Sequence, residues 1–110
     1  MTYSNEAKQK LLGVRAETLA QHGAVSEPVA REMAEGARKQ TQAIWAISVT
    51  GIAGPTGGTS AKPVGTAFIG LASAGETVVE RHLNPYDREA FKQATANQAL
   101  DLLRRHASRI

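Results

Sequence analysis

The stretch Thr50-Gly51-Ile52-Ala53-Gly54-Pro55-Thr56-Gly57-Gly58-Thr59 constrains this chain most. It lies between two apolar runs, Ala43 to Val49 and Val64 to Ala72, and reads as a loop joining two strands. Without Cβ atoms, backbone N–H groups can come close to a ligand, which suggests an anion or nucleotide site. The well-known phosphate loops do not fit. The stretch lacks the Lys-Ser/Thr ending of a P-loop, and a strand follows where the dinucleotide fingerprint needs a helix. No following helix dipole is therefore on offer. An anion would be held by the loop's own amides and by the hydroxyls of Thr50, Thr56, Thr59 or Ser60. On glycine content alone, a plain connection with no ligand is an equal alternative.

The flanking sequence sets the rest of the order. Ser4 or Asn5 can cap a helix running to about Leu12, which Gly13 stops. Arg15 to Gln21 reads as a second short helix, closed by His22-Gly23. Ser26 is the N-cap of a third, with Glu27 suited to the dipole and Pro28 to the fixed φ of a first turn. Val29, Ala30, Met33, Ala34 and Ala37 form its apolar stripe, and it should end near Lys39 or Gln40. Ile44 to Val49 reads as a strand covered on both faces. Val64 to Ala72 is a second strand, and Thr77 to Leu83 a hairpin partner nearer an edge. Asp87 caps a last helix to about His106, with Phe91, Thr95, Ala99, Leu102 and Leu103 on its buried side. This order predicts a single α/β domain over residues 1–110, a three-layer α/β/α sandwich around a small mixed sheet.

Composition narrows the function classes. At 110 residues one modest core can form. With no cysteine, disulfides, thiolate zinc sites and cysteine nucleophiles are excluded. His22, His82 and His106 share no metal-ligand spacing, so no metal is expected. No apolar stretch reaches the ~20 residues that span a bilayer and no signal pattern opens the chain, so a soluble cytoplasmic protein is the default. Much of the net charge of +3 comes from Arg104, Arg105 and Arg109. A nucleic-acid binder would carry a longer basic face with aromatics among it, and aromatics are only 5% here.

The residue order in the loop adds a specific signal. Val49 to Thr59, followed by Lys62-Pro63-Val64-Gly65-Thr66, resembles the signature of the CinA C-terminal domain family. Thr2 to Lys8 with Leu11-Leu12-Gly13-Val14, then Gly23 to Glu27 with Met33 to Ala37, and finally Asp87-Arg88-Glu89, resemble other family segments in the family's order. The resemblance implies a nicotinamide-nucleotide amidohydrolase, which turns nicotinamide mononucleotide and water into nicotinic acid mononucleotide and ammonia without a cofactor. It implies Tyr3 and Lys8 as assistants to a serine nucleophile. It assigns the nucleotide to Thr50, Gly51, Ala53, Gly54, Gly57, Gly58, Thr59 and Arg88. A lysine acts as base only when burial or neighbouring charge lowers its pKa.

The family's Glu-Ser-Cys-Thr-Gly-Gly motif, which carries the serine, does not occur in this sequence. The chain is thus expected to match the C-terminal two thirds of the family domain, without its N-terminal strands and helix. Such a chain is expected to be inactive, a nucleotide-binding or oligomerisation module. Sheet edges left bare predict a homo-oligomer. The family usually has glycine where Tyr86 stands and arginine where Lys92 stands, which would narrow the pocket and lose bidentate phosphate geometry.

Overall fold

A computed structural model describes residues 5–107. Helices α1 (Asn5–Leu12), α2 (Ala16–His22) and α3 (Glu27–Thr41) precede strands β1 (Ala46–Gly51), β2 (Thr66–Ala72) and β3 (Thr77–Leu83), and α4 (Arg88–Ala107) closes the fold. Local chemistry explains most boundaries. The Ser26 hydroxyl accepts from the Val29 N–H at 3.4 Å, and Pro28 stands in the first turn of α3. The Asp87 carboxylate accepts from the Ala90 N–H at 2.9 Å and starts α4. The Val14 N–H reaches back to the Lys8 carbonyl at 3.1 Å and closes α1.

The sheet has the order β1-β2-β3. Val49 lies opposite Ile69, and Ile69 opposite Glu80. The structure shows the expected α/β class. Both pairings are antiparallel among the described residues, where the sequence suggests a mixed sheet. A hairpin joins β2 to β3, and the long glycine loop also returns β1 to β2 in the opposite direction.

Alternation assigns the two faces of the sheet. Ile69 and Leu71, with Ile47 and Val78, pack against Ala99, Leu102 and Leu103 of α4. Ile69, Leu71 and Leu102 are fully buried, which stabilises the fold by roughly 1.5–3 kcal/mol each. The other face receives α3. There the Ser48 hydroxyl donates to the Ala30 carbonyl at 2.6 Å, and Thr50 donates to the Ala24 carbonyl at 2.8 Å. Helices α1 and α2 pack on α3 and form an outer tier. Glu32 pins α2 there, accepting from the Arg15 N–H at 2.8 Å and the Thr18 hydroxyl at 2.7 Å. Arg105 ties α4 to the sheet through Glu80 at 2.9 Å and also holds Asp101 at 2.8 Å.

The central strand β2 is buried at every position. Strands β1 and β3 are the edges, and β3 takes the half-exposed place its alternation suggests. Strand β1 departs from expectation. It starts at Ala46, leaving Ile44 outside it and 76% exposed, and Val49 is 42% exposed. An apolar run does not reveal that β1 has a strand neighbour on one side only.

Helix α3 sits directly on the backbone at Gly70. A Cβ there would lie 2.7 Å from the Ala30 carbonyl oxygen and 2.7 Å from Ser48 Oγ. In an open strand Gly→Ala is mildly stabilising. Here Gly70→Ala should instead lower stability by about 1–3 kcal/mol, because backbone must move. Denaturant unfolding checks this, and an unchanged or raised midpoint would mean that α3 is not seated so tightly.

Candidate functional site

Helices α3 and α4 cover opposite faces of the sheet, so a cavity touching both must pass the free edge of β1. One such cavity exists, with a volume of about 420 Å³. Its base is Val49, Thr50 and Gly51 of β1, with Ala53 from the start of the glycine loop. Lys8 of α1 and Met33 of α3 form one wall. Arg88, Phe91, Lys92, Thr95 and Ala96 of α4 form the other. Phe91 closes on the strand because residue 51 has no side chain; a Cβ there would lie 2.8 Å from Phe91 Cζ.

The charge pattern of these walls is one-sided. Lys8, Arg88 and Lys92 are cations, and among the described residues no carboxylate lines the cavity. Arg88 and Lys92 are four residues apart on α4, so they share a face about 6 Å apart along the axis. Arg88 has no hydrogen bond or ion pair with the described residues, while Lys92 lies 3.7 Å from exposed Glu89. Lys8 is only 8% exposed, and burial lowers its pKa from the usual 10.5. Its ammonium has no ion-pair partner among the described residues, so nothing there offsets the lost hydration.

The remaining grooves differ. A wider one of about 510 Å³ beside α3 is lined by Arg15, Glu27, Arg31 and Glu32. Four of its charges pair as Arg15–Glu32 and Arg31–Glu27. Glu35 lines it as well and accepts from the Thr77 hydroxyl at 2.8 Å, so the groove mixes both signs with the acids in excess.

Of the residues singled out from sequence, Lys8, Thr50, Gly51, Ala53 and Arg88 come together at the cavity. Gly54, Gly57, Gly58 and Thr59 do not line it. This half of the loop folds back instead. The Thr59 N–H donates to the Lys62 carbonyl at 2.8 Å, and Gly54 and Gly58 press on Val64. Lys62 Nζ then donates to the His22 carbonyl at 2.6 Å, tying the loop to the end of α2. The Thr50 hydroxyl is committed to Ala24, so any contact from it must use its remaining lone pairs or its backbone. Tyr3 lies outside the described residues.

Met33, Val49, Phe91, Thr95 and Ala96 are lining residues that sequence reasoning did not assign to the site. Met33, Phe91 and Thr95 were recognisable as buried helix positions, but periodicity does not distinguish a core from a cavity wall.

The profile of the CinA C-terminal domain matches residues 1–107. The chain is 53% identical over 104 residues to the nicotinamide-nucleotide amidohydrolase PncC of Escherichia coli (strain K12), covering 94% of this chain and 63% of that protein. It is equally 53% identical over 104 residues to a CinA-like protein of Anaeromyxobacter sp. (strain Fw109-5), of which it covers 25%. The crystal structure of the competence/damage inducible protein CihA from Agrobacterium tumefaciens superposes with a TM-score of 0.88 at 40% identity, over 93% of this chain and 63% of that one. ComA from Klebsiella pneumoniae gives 0.87 at 41% identity, over 93% and 63%. The chain thus spans less than two thirds of the length of these relatives.

The buried lysine has a pH signature. With the folded-state pKa lowered, the penalty for charging Lys8 is present in full below that lowered value. It fades as pH rises through the lowered value toward 10.5, where the unfolded chain also loses its proton. Lys8→Met should therefore be more stable than the parent at neutral pH, with a margin that shrinks as pH climbs. Urea titrations across that range measure it; a margin that is constant or widens would contradict a desolvated ammonium.

Proposed function

The chain belongs to the CinA C-terminal domain family, and on that premise we propose that it holds nicotinamide mononucleotide against the free edge of β1. It is the nucleotide-binding part of a nicotinamide-nucleotide amidohydrolase. The observation that carries this reading is the cavity bordered by three cations and, among the described residues, no carboxylate. Arg88 and Lys92 meet the phosphate at the start of α4, the first as a two-pronged donor and the second as a point charge. The backbone of Thr50, Gly51 and Ala53 lines the middle of the ligand. Gly54, Gly57, Gly58 and Thr59 shape the loop that presents these three.

Lys8 supplies the proton chemistry. Burial favours its neutral amine; were a nucleophilic hydroxyl supplied at the site, that lone pair would take its proton as the C–O bond formed and return it to the departing ammonia as the C–N bond broke. Tyr3 is assigned, by resemblance alone, to orienting the attacking group. Among the described residues no serine or cysteine lines the cavity; the Thr50 hydroxyl donates to the Ala24 carbonyl, and the Thr95 oxygen accepts from Asn84 Nδ2. The 110-residue polypeptide therefore binds the nucleotide without hydrolysing it.

Calorimetric titration with nicotinamide mononucleotide should show saturable binding, and an ammonia assay on the same sample should show no turnover. Arg88→Ala should weaken binding roughly tenfold or more, as expected for a lost charge-assisted hydrogen bond. Absence of binding would defeat the nucleotide reading, and ammonia release would defeat the reading of a binding-only chain.

The same edge supports self-association. Strand β1 is unpaired on its outer side among the described residues, and Ile44 and Val49 are exposed near it. Sedimentation velocity should reveal a concentration-dependent oligomer; a monomer at high concentration would remove that part of the proposal.

A further inference from the structure

Thr95 is the buried polar group of the cavity wall that the binding scheme above leaves without a task. It is 4% exposed and lines the cavity from the third turn of α4. A threonine in a helix commonly donates to the carbonyl four residues earlier. Thr95 makes no such bond. Its oxygen instead accepts from Asn84 Nδ2 at 3.2 Å. Asn84 is itself only 2% exposed and locked in a reciprocal amide pair with Gln98, donating at 2.8 Å and accepting at 2.9 Å. One Asn84 amide hydrogen goes to Gln98 and the other to Thr95. The Thr95 hydroxyl hydrogen then has no acceptor among the described residues, although its residue is buried.

We propose that the Thr95 hydroxyl donates to an oxygen of the bound ligand and thereby helps set specificity for the pyridine end. The inference rests on the nucleotide reading above. Spacing along α4 supports the assignment. Thr95 is seven residues beyond Arg88, about 10 Å along the helix axis. A ligand whose phosphate sits at Arg88 and Lys92 reaches Thr95 with its far end. In a nicotinamide nucleotide that end carries a carboxamide oxygen, and in its deamidated product a carboxylate oxygen. Both accept a hydrogen bond, so Thr95 holds substrate and product alike and fixes the orientation of the ring substituent.

The test uses Thr95→Val, which keeps the shape and removes the hydroxyl, and Thr95→Ser, which keeps the hydroxyl. Each is titrated with nicotinamide mononucleotide, nicotinic acid mononucleotide and ribose 5-phosphate, the last lacking the pyridine ring. Thr95→Val should weaken both mononucleotides roughly tenfold and leave ribose 5-phosphate unchanged, while Thr95→Ser retains native affinity. Equal loss for ribose 5-phosphate, or no loss for the mononucleotides, overturns the assignment of Thr95. If Thr95→Val does not fold, Thr95→Ala carries the same comparison. Failure of the parent chain to bind either mononucleotide would instead overturn the nucleotide reading itself, and the Thr95 assignment with it.

Discussion

The site depends on one constraint: among the described residues, β1 has a strand neighbour on one side only. Helices α3 and α4 flank the sheet from opposite faces, and past the last strand they have no sheet between them. Where α1 and α3 bring Lys8 and Met33, and α4 brings Phe91 and Thr95, the gap becomes a cavity. A fourth strand on that side would fill the space and satisfy the open backbone groups of β1. The cavity and the exposed edge are thus two results of the same geometry. The chain accepts an exposed Val49 on that edge because the side chain borders a cavity that must stay open.

The second requirement is a lysine kept out of water. An isolated buried ammonium is costly, and structural lysines normally avoid it by reaching solvent or a carboxylate. Elsewhere this chain follows that rule: Lys10 pairs with Glu6 and Lys62 bonds the His22 carbonyl. Lys8 differs from both. Its burial lowers its pKa, so more of it is the neutral amine at a given pH than of a surface lysine, and it contributes less to stability. Groups that weaken the fold while improving a site are characteristic of functional positions.

Much of the fold was readable because it is set locally. Ser26 and Asp87 start helices through their own side chains, and β2 is a continuous apolar run that becomes the fully buried centre. The edge position of β1 was not readable. Its apolar composition suits a covered strand, and pairing on the outer side is not encoded in its residues. The site was readable only in part. Lys8, Arg88 and the start of the glycine loop could be picked from the family signature. Thr95 could not, since a buried threonine at helical spacing looks like core. Its significance appears only when Asn84, eleven residues earlier, arrives from beyond β3 and claims one side of its hydroxyl. The glycine loop also divides in a way composition hides. Its first residues serve the cavity, whereas Gly54, Gly58 and Thr59 serve packing on Val64 and the turn to Lys62.

The distribution of charge links these levels. A net charge of +3 suggests at first a basic tail. In the folded chain, however, Arg104 and Arg105 are held by Asp101, and Arg105 also by Glu80. Arg15 and Arg31 are likewise held by Glu32 and Glu27. These pairs neutralise part of the charge on the outer faces of α3 and α4. Cationic character is also found on the cavity wall, where Lys8 and Arg88 have no ion-pair partner among the described residues and Lys92 pairs only with exposed Glu89 at 3.7 Å. A small excess of charge thus becomes a local field at the open strand edge. In a partly enclosed space such a field is screened less than on an open surface. The fold thus gathers three cations on the walls of one cavity while pairing Arg15, Arg31, Arg104 and Arg105 with acids elsewhere.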